Sequence, residues 1–302
     1  MADWYIDLDS GNDSTGDGSS GTPYQTFNKA CTEASTGDTI ILKDGTYTLS
    51  SSTAESLTGA AGKALSYRSE SGDADSCIID AVSSYSYEFN FYGTVTSFSG
   101  ITLKDYAVSR SRCLSFYYAD ASVEHVIENC VFEGMSGAGT YGTIEVSGIA
   151  LTLTFRNNVW NKTLAQTQDP LISSVGGTGG VTFNVLNNTF YFTGSSLAPD
   201  NGMIYFNNGT ANTVNFKNNI VVNDTSQNVD CVWSIQSGVH NAVLANNLYY
   251  ESGSGGIDDS QGTWNSISST GGLTGDPLFV DAASGDFTLQ SSSPAIDAGT
   301  NL

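Results

Sequence analysis

Three carboxylates in the sequence have the residue type and the local sequence context for acid–base catalysis on a sugar. Glu145 interrupts the apolar run TIEV, and Asp169 and Asp230 each precede a run rich in apolar and β-branched residues. Two carboxyl groups about 6.5–9.5 Å apart can hydrolyse a glycosidic bond, one protonating the leaving oxygen and the other activating a water. The catalytic candidates are therefore Glu145, Asp169 and Asp230.

The aspartates have two other readings. Together with Asp200, Asp169 and Asp230 offer the oxygen ligands that calcium prefers, so calcium is a candidate ligand although no cofactor is required by the pattern. An aspartate before a strand also commonly makes a side-chain hydrogen bond to the backbone of its own turn. The sequence leaves hydrolysis, calcium binding and turn formation open for these positions.

The elements that must position these residues are read from an internal repeat. A frame of apolar residues around an asparagine pair occurs as IENCVF, FRNNVW, VLNNTF, FKNNIV and LANNLY. Its first asparagines are Asn129, Asn157, Asn187, Asn218 and Asn246, separated by 28, 30, 31 and 28 residues. A fixed period of this length is typical of a solenoid.

Each repeat alternates apolar and polar residues with period two, broken by Gly, Asn, Asp and Ser, which predicts short strands joined by turns. After Met203, for example, IYF, TVNF and IVV are predicted strands and KNN a tight bend. Three strands per coil, each pairing with its equivalent about 4.8 Å away, form a parallel β-helix. Parallel connections are almost always right-handed.

The asparagine pair has a structural explanation in such a coil. A sharp bend needs a residue that tolerates the left-handed region, and Asn does so at low cost. Stacked asparagines can also donate side-chain hydrogen bonds from coil to coil. The sequence assigns this ladder to the first asparagine of each frame.

Composition agrees with one elongated, all-β domain over residues 1–302. We expect an N-terminal cap and first strand in 1–50, coils in 51–270 and a C-terminal capping coil in 271–302. The net charge of -21 disfavours nucleic acid and anionic membranes as partners. No signal peptide is visible in this sequence, and we expect no membrane insertion because no apolar run is long enough for it.

Both ends of the chain resemble a known superfamily. The opening from WYIDLDSGNDS to KDGTYTL and the ending GDPLFVDAASGDFTLQSSSPAIDAGTN are similar to those of pectate-lyase-like right-handed parallel β-helix proteins, including secreted bacterial and phage tailspike-like members. The resemblance implies a short capping helix, here 26–35. It also implies that the face of the first strand of each coil carries either acidic calcium ligands with a basic residue or a cluster of aspartates.

Aligning the first strands predicts which residues share that face. The inward residues are expected to be Phe89, Leu114, Ile144, Ile172, Ile204 and Trp233, and the outward ones Asn90, Ser115, Glu145, Ser173, Tyr205 and Ser234. Asp169 and Asp230 would lie two coils apart, about 9.6 Å along the axis. The predicted substrate-binding residues on or beside this open, polar face are Asn90, Tyr92, Arg112, Tyr117 and Tyr205, since tyrosine rings can stack on sugars.

Three functions fit the pattern. The first is a glycan-binding, adhesin-like or tailspike-like protein, secreted or displayed on a phage particle, whose partner is a polysaccharide or cell-surface glycan. The second is a polysaccharide lyase or glycoside hydrolase that uses the groove along the first sheet. The third is a structural virion component, for which a homotrimer is expected because such rods often trimerise.

Overall fold

The computed structural model describes residues 1–50, 53–82, 87–106, 112–116, 124–135, 143–147, 150–163, 170–176, 179–193, 202–234 and 239–301. Over these residues the chain is a right-handed parallel β-helix with three long sheets. Every strand of the three sheets pairs in parallel with the equivalent strand of a neighbouring coil. The predicted fold class is confirmed.

The three sheets are named here by their place in the coil, and their strand bounds are those of the described residues. Sheet 1 contains Thr53–Leu57, Tyr87–Phe91, Leu114–Phe116, Ile144–Ser147, Ile172–Val175, Ile204–Asn207, Val229–Ser234 and Ile257–Gly262. Sheet 2 contains Asp3–Ile6, Thr39–Leu42, Ala64–Ser69, Thr94–Ser99, Glu124–Glu128, Leu151–Arg156, Val181–Leu186, Thr213–Lys217, Asn241–Ala245 and Ser266–Thr270. Sheet 3 contains Gly45–Thr48, Cys77–Asp80, Thr102–Lys104, Val131–Glu133, Val159–Thr163, Thr189–Thr193, Ile220–Asp224, Leu248–Glu251 and Leu273–Thr274.

A short helix closes the N-terminal end of the coils. Within the described residues it is the one α-helix, Phe27–Glu33, and its first turn is capped by the Thr26 side chain, which accepts from the Lys29 amide. Phe27 and Cys31 are fully buried, so the helix covers the core with its apolar side. Asp13 fixes the cap by accepting hydrogen bonds from the Thr26 amide and hydroxyl.

The core is a stack of side chains of the same kind from successive coils. In sheet 2 the strand Val181–Leu186 alternates buried and half-buried residues, because side chains of a strand point to opposite sides. In sheet 3 the rings of Phe132 and Trp160 stack with centroids 4.0 Å apart, and Phe190 continues the stack 6.1 Å beyond Trp160. Repetition of one residue type at one position of the coil therefore builds the core.

The two asparagines of each frame have separate roles. The first of each pair, from Asn129 to Asn246, lies at a bend between sheets 2 and 3 with a φ of 53° to 56°. Glycine takes this position in the outer coils, where Gly100 and Gly271 have φ values of 67° and 66°. The first asparagine is therefore the residue that allows the left-handed bend.

The buried ladder is made by the second asparagine, which corrects the assignment of the ladder to Asn129, Asn157, Asn187, Asn218 and Asn246. The Asn188 side chain donates to Phe155 O at 3.0 Å and to Asn219 Oδ1 at 3.1 Å, and its Oδ1 accepts from the Asn158 amide at 2.9 Å. Asn158, Asn219 and Asn247 repeat this pattern. The bend turns the first side chain outward and the second inward, where the unpaired backbone groups are.

The C-terminal segment first adds a strand to sheet 3 and then runs along the side of the solenoid. Leu273–Thr274 pairs with the preceding coil, but the antiparallel hairpin of Phe279–Asp281 and Asp286–Leu289 packs on the outside of sheet 3. There Tyr191 contacts Phe279 and Phe287, with ring centroids 6.4 and 5.4 Å away. The segment lies along the side of the solenoid because sheet 3 offers an aromatic contact surface there.

The ladder predicts a large difference between adjacent asparagines. Asn188→Ala removes a buried amide that satisfies backbone groups of two coils, and we expect the free energy of unfolding to fall by about 2–4 kcal/mol. Asn187→Gly keeps the left-handed bend and should change it by less than about 0.5 kcal/mol. Chemical denaturation of both variants measures the contrast, and similar losses at the two positions would contradict this division of roles.

Candidate functional site

The outer side of sheet 1 carries one column of residues in exact register. The strand pairing aligns Phe89, Leu114, Ile144, Ile172, Ile204 and Val232 toward the core, and Asn90, Ser115, Glu145, Ser173, Tyr205 and Trp233 on the outer side. Trp233 therefore belongs to the outer column, and the prediction that it faces inward is wrong by one residue. Ile204 and Val232 are 28 residues apart, the same spacing as Asn218 and Asn246.

The column is buried, whereas the sequence predicted an open face. Ser115 and Ser173 are fully buried, and Asn90, Glu145 and Tyr205 are 8%, 3% and 5% exposed. One reason is the order of residues in the column. The small serine side chains alternate with larger side chains that lie only one strand spacing away on either side. Trp233 and Tyr92 are half-buried, as are Glu88 and Arg112 beside the column.

Glu145 lies in a cluster with one guanidinium and a second carboxylate. Arg112 Nε is 2.8 Å from Glu145 Oε2, and Arg112 Nη1 is 3.9 Å from Glu88 Oε1. Ser115 donates a hydrogen bond of 2.8 Å to the same Glu88 oxygen. Three successive coils thus contribute, since Glu88 precedes Arg112 by one coil and Glu145 follows it by one.

The environment of Glu145 favours its protonated form. Burial raises the pKa of the carboxyl to about 7, the Arg112 charge works in the opposite direction, and the Glu88 charge raises it further. Among the described residues Glu145 Oε2 accepts no well-aligned hydrogen bond, so the contact with Arg112 is mainly one of charge. A carboxyl that exchanges its proton near neutral pH is suited to general acid–base chemistry.

Two aromatic rings continue the column past Ser173. The rings of Tyr205 and Trp233 meet edge to face with centroids 5.9 Å apart. A ring pair beside polar side chains is a surface on which the apolar side of a sugar can stack. Of the predicted substrate-binding residues, the structure places Asn90, Arg112 and Tyr205 on or beside the column and Tyr92 two residues beyond Asn90, while Tyr117 lies outside the described residues.

Asp230 has a carboxylate neighbour, Asp258, on the next coil. It lies in register with Asp258 of the next coil, and burial followed by the Asp258 charge raises its pKa. Asp169 and Asp200 lie outside the described residues, so the proposed pair of Asp169 with Asp230 is not placed. Sequence reasoning placed Glu88 at the edge of the column without giving it a role, and it missed Asp258, whose pairing with Asp230 depends on the register between coils.

Among the described residues no group of three or more His, Cys, Asp and Glu side chains is arranged to hold a metal ion. Two of the three proposed calcium ligands, Asp169 and Asp200, are outside that part of the chain, and calcium binding stays a prediction. No helix in the described part of the chain is sufficiently long and apolar to cross a membrane.

Comparison with known proteins gives few matches. A family described as "Domain of unknown function (DUF5123)" matches residues 183–299, and no curated protein sequence matches. Pectate lyase Pel9A is 15% identical over 100% of this chain and 92% of its own, with a TM-score of 0.38. A mannuronic acid specific polysaccharide family 6 lyase from human gut microbiota is 12% identical over 83% of this chain and 65% of its own, with a TM-score of 0.36.

The raised pKa of Glu145 predicts a pH-dependent stability. The folded state binds the Glu145 proton more tightly than the unfolded state does. The stabilisation that this proton gives is therefore complete below pH 4.5 and is lost as the pH rises through about 7. Relative to Glu145→Gln, the native protein should lose up to about 3 kcal/mol across this window.

Denaturation midpoints of both proteins, measured as a function of pH, test this expectation. Glu128→Gln is the matched control, because Glu128 also forms an ion pair with an arginine, Arg156, on sheet 2. Parallel pH profiles for the native protein and Glu145→Gln would show that Glu145 titrates in the ordinary carboxyl range.

Proposed function

We propose that the outer side of sheet 1 binds a polysaccharide and that Glu145 transfers a proton during hydrolysis of its glycosidic bond. The observation that supports this proposal is the buried Glu145 carboxyl, with a pKa of about 7, held against Arg112 and close to Glu88. Burying a carboxylate destabilises the fold when its charge is not fully offset by a partner and by hydrogen bonds. Such an arrangement is more common at functional sites than in a structural rod.

The chemistry follows from the two carboxyl groups. Protonated Glu145 donates its proton to the glycosidic oxygen as the bond to the anomeric carbon breaks. Glu88, which is more exposed and accepts from Ser115, takes a proton from the attacking water. The hydroxyl of the water is added to the anomeric carbon of the product sugar. Glu88 then releases its proton to solvent, and Glu145 takes up a proton from solvent, so both carboxyl groups return to their starting states. Arg112 holds the two side chains in position.

A neutral polysaccharide suits this site better than an acidic one. The chain carries a net charge of -21, and Arg112 is already in contact with both glutamates. A uronate would meet repulsion from Glu88, and in the described part of the chain the guanidinium beside it is paired. On this proposal the protein acts outside the cell, where polysaccharides are found, either secreted or carried on a phage particle.

Access to Glu145 is part of the proposal. Its side chain is 4% exposed, so proton transfer to a sugar requires the side chains around it to move aside. The half-buried Trp233 is the accessible end of the same column.

A second candidate is glycan binding without turnover, as in an adhesin or tailspike. The Tyr205 and Trp233 ring pair favours it, because stacking on a sugar needs no catalytic group. Both candidates place the glycan on the same column. They differ only in the role of Glu145.

Turnover is tested with a broad panel of neutral and acidic polysaccharides, with and without calcium, by assays for new reducing ends and for unsaturated products. We expect reducing ends without unsaturation, and a loss of at least about 100-fold in Glu145→Gln. Asp169→Asn and Glu128→Gln are compared in parallel, the latter as a control that removes an ion pair on sheet 2.

Turnover that survives in Glu145→Gln and disappears in Asp169→Asn would move the active site to the aspartates. Unsaturated products would identify a lyase. Absence of turnover on every substrate would remove the catalytic proposal and leave glycan binding to be judged by the next measurement.

Glycan binding depends on the exposed end of the column. Trp233→Ala removes the half-buried ring, and we expect about tenfold weaker retention on the best-binding polysaccharide, since one stacking contact contributes about 1 kcal/mol or more. Affinity gel electrophoresis measures it, with Trp264→Ala as the aromatic control because Trp264 packs on His240 instead. Equal retention of both variants and the native protein would place the glycan elsewhere.

A further inference from the structure

The exposed asparagines at the bends form a second row of hydrogen-bonding groups, and part of it is already occupied by polypeptide. Asn218 Nδ2 donates to the carbonyl of Thr300 at 2.9 Å, and its Oδ1 accepts from the Thr300 amide at 3.2 Å. Asn246 Nδ2 donates to the Thr300 hydroxyl at 3.0 Å. One side-chain amide thus pairs with both backbone groups of a single residue in the C-terminal segment.

Gly299 explains how the segment comes so close. A Cβ at Gly299 would lie 3.1 Å from the Asn218 amide carbon, which is tighter than ordinary contact. A glycine before the paired residue therefore allows the backbone to lie directly on the asparagine. The Gly-Thr pair is the part of the segment that the row recognises.

The same row continues unoccupied toward the N-terminal coils. Asn129, Asn157 and Asn187 have the left-handed backbone of Asn218, and their side chains are exposed. Within the described part of the chain, their side-chain amides have no hydrogen-bond partner. Each stands one coil from the next, so Asn129 and Asn187 are about 9.6 Å apart. Three residues of an extended or polyproline-like chain span about the same distance.

A groove of about 850 Å³ is lined by Asn129 and Asn157, and Asn187 lies just outside it, two residues before Thr189 of the lining. Its floor includes Val131 and Val159 of sheet 3, and the tip of the C-terminal hairpin forms one wall. Its acidic residues are Asp73, Asp75, Glu133 and Asp286, and its lining contains no Lys or Arg. Lys104 contacts Glu133 from outside the lining at 3.6 Å and offsets part of this charge.

We propose that this groove and the adjoining row of asparagines bind an extended, basic peptide segment whose backbone pairs with Asn129 and Asn187 as Thr300 pairs with Asn218. The asparagines supply the backbone hydrogen bonds, the valines the apolar floor, and the carboxylates attract lysine or arginine side chains. If Gly-Thr pairs recur with a period of three residues, one pair lies at every second coil, which is the spacing of Asn129 and Asn187. An oligosaccharide could also use amides and carboxylates, but the contact seen in the structure is with a peptide backbone.

The probe is a fluorescent, end-blocked peptide of three Lys-Gly-Thr repeats, and binding to the full chain is followed by fluorescence anisotropy. We expect saturable binding, and none for the matched peptide with Glu in place of Lys. The double variant Asn129→Gly/Asn187→Gly keeps both bends and should bind about tenfold more weakly, which corresponds to about 1.4 kcal/mol.

Glu33→Gln on the N-terminal helix removes one carboxylate from an ion pair outside the groove lining and should bind like the native protein. No saturable binding of the lysine peptide, or equal binding of the glutamate peptide, would overturn the proposal. Unchanged affinity in the double variant would also overturn it. Retention of a neutral oligosaccharide that depends on Asn129 and Asn187, without peptide binding, would assign the groove to a glycan instead. These outcomes are independent of any effect of Glu145→Gln on turnover.

Discussion

The structure depends on the stacking of identical coils, and the buried asparagine ladder is the interaction that makes the sharpest bend of each coil compatible with burial. A bend between two sheets leaves backbone amides and carbonyls without a strand partner, and leaving them unpaired in the interior is costly. Asn188 satisfies such groups in the coils on both sides. Because the ladder fixes the bend in the coils that contain Asn158, Asn188, Asn219 and Asn247, it also fixes the register of the sheets on either side there.

That register is what brings the candidate site together. Glu88, Arg112 and Glu145 are far apart in sequence, yet each occupies the first sheet of a consecutive coil, and the strand spacing brings their charged ends within contact. The burial that the fold imposes on this column then sets the chemistry. Removing water raises the pKa of Glu145 more than the arginine lowers it, so position in the solenoid, rather than any local motif, makes this carboxyl distinctive.

The sequence predicted the fold well because a repeat is a local signal. The period of the asparagine frames and the alternation within strands were read from neighbouring residues, and the N-terminal helix was expected from the resemblance of the chain's opening. What could not be read was which member of the asparagine pair points inward, since both orientations suit the same residue type. The assignment of Trp233 failed where the repeat length changes, and the burial of Glu145 depends on contacts between coils that carry no pattern in the chain.

The C-terminal segment has a consequence for the order in which this molecule comes apart. Nearly all hydrogen bonds between coils join residues about 30 positions apart, whereas Thr300 meets Asn218 across 82 positions. In a solenoid each coil is stabilised mainly by its neighbours, so loss of structure can begin at an end and spread inward. A segment that contacts the last coils from outside must detach before those coils can unfold. It therefore slows unfolding from that end.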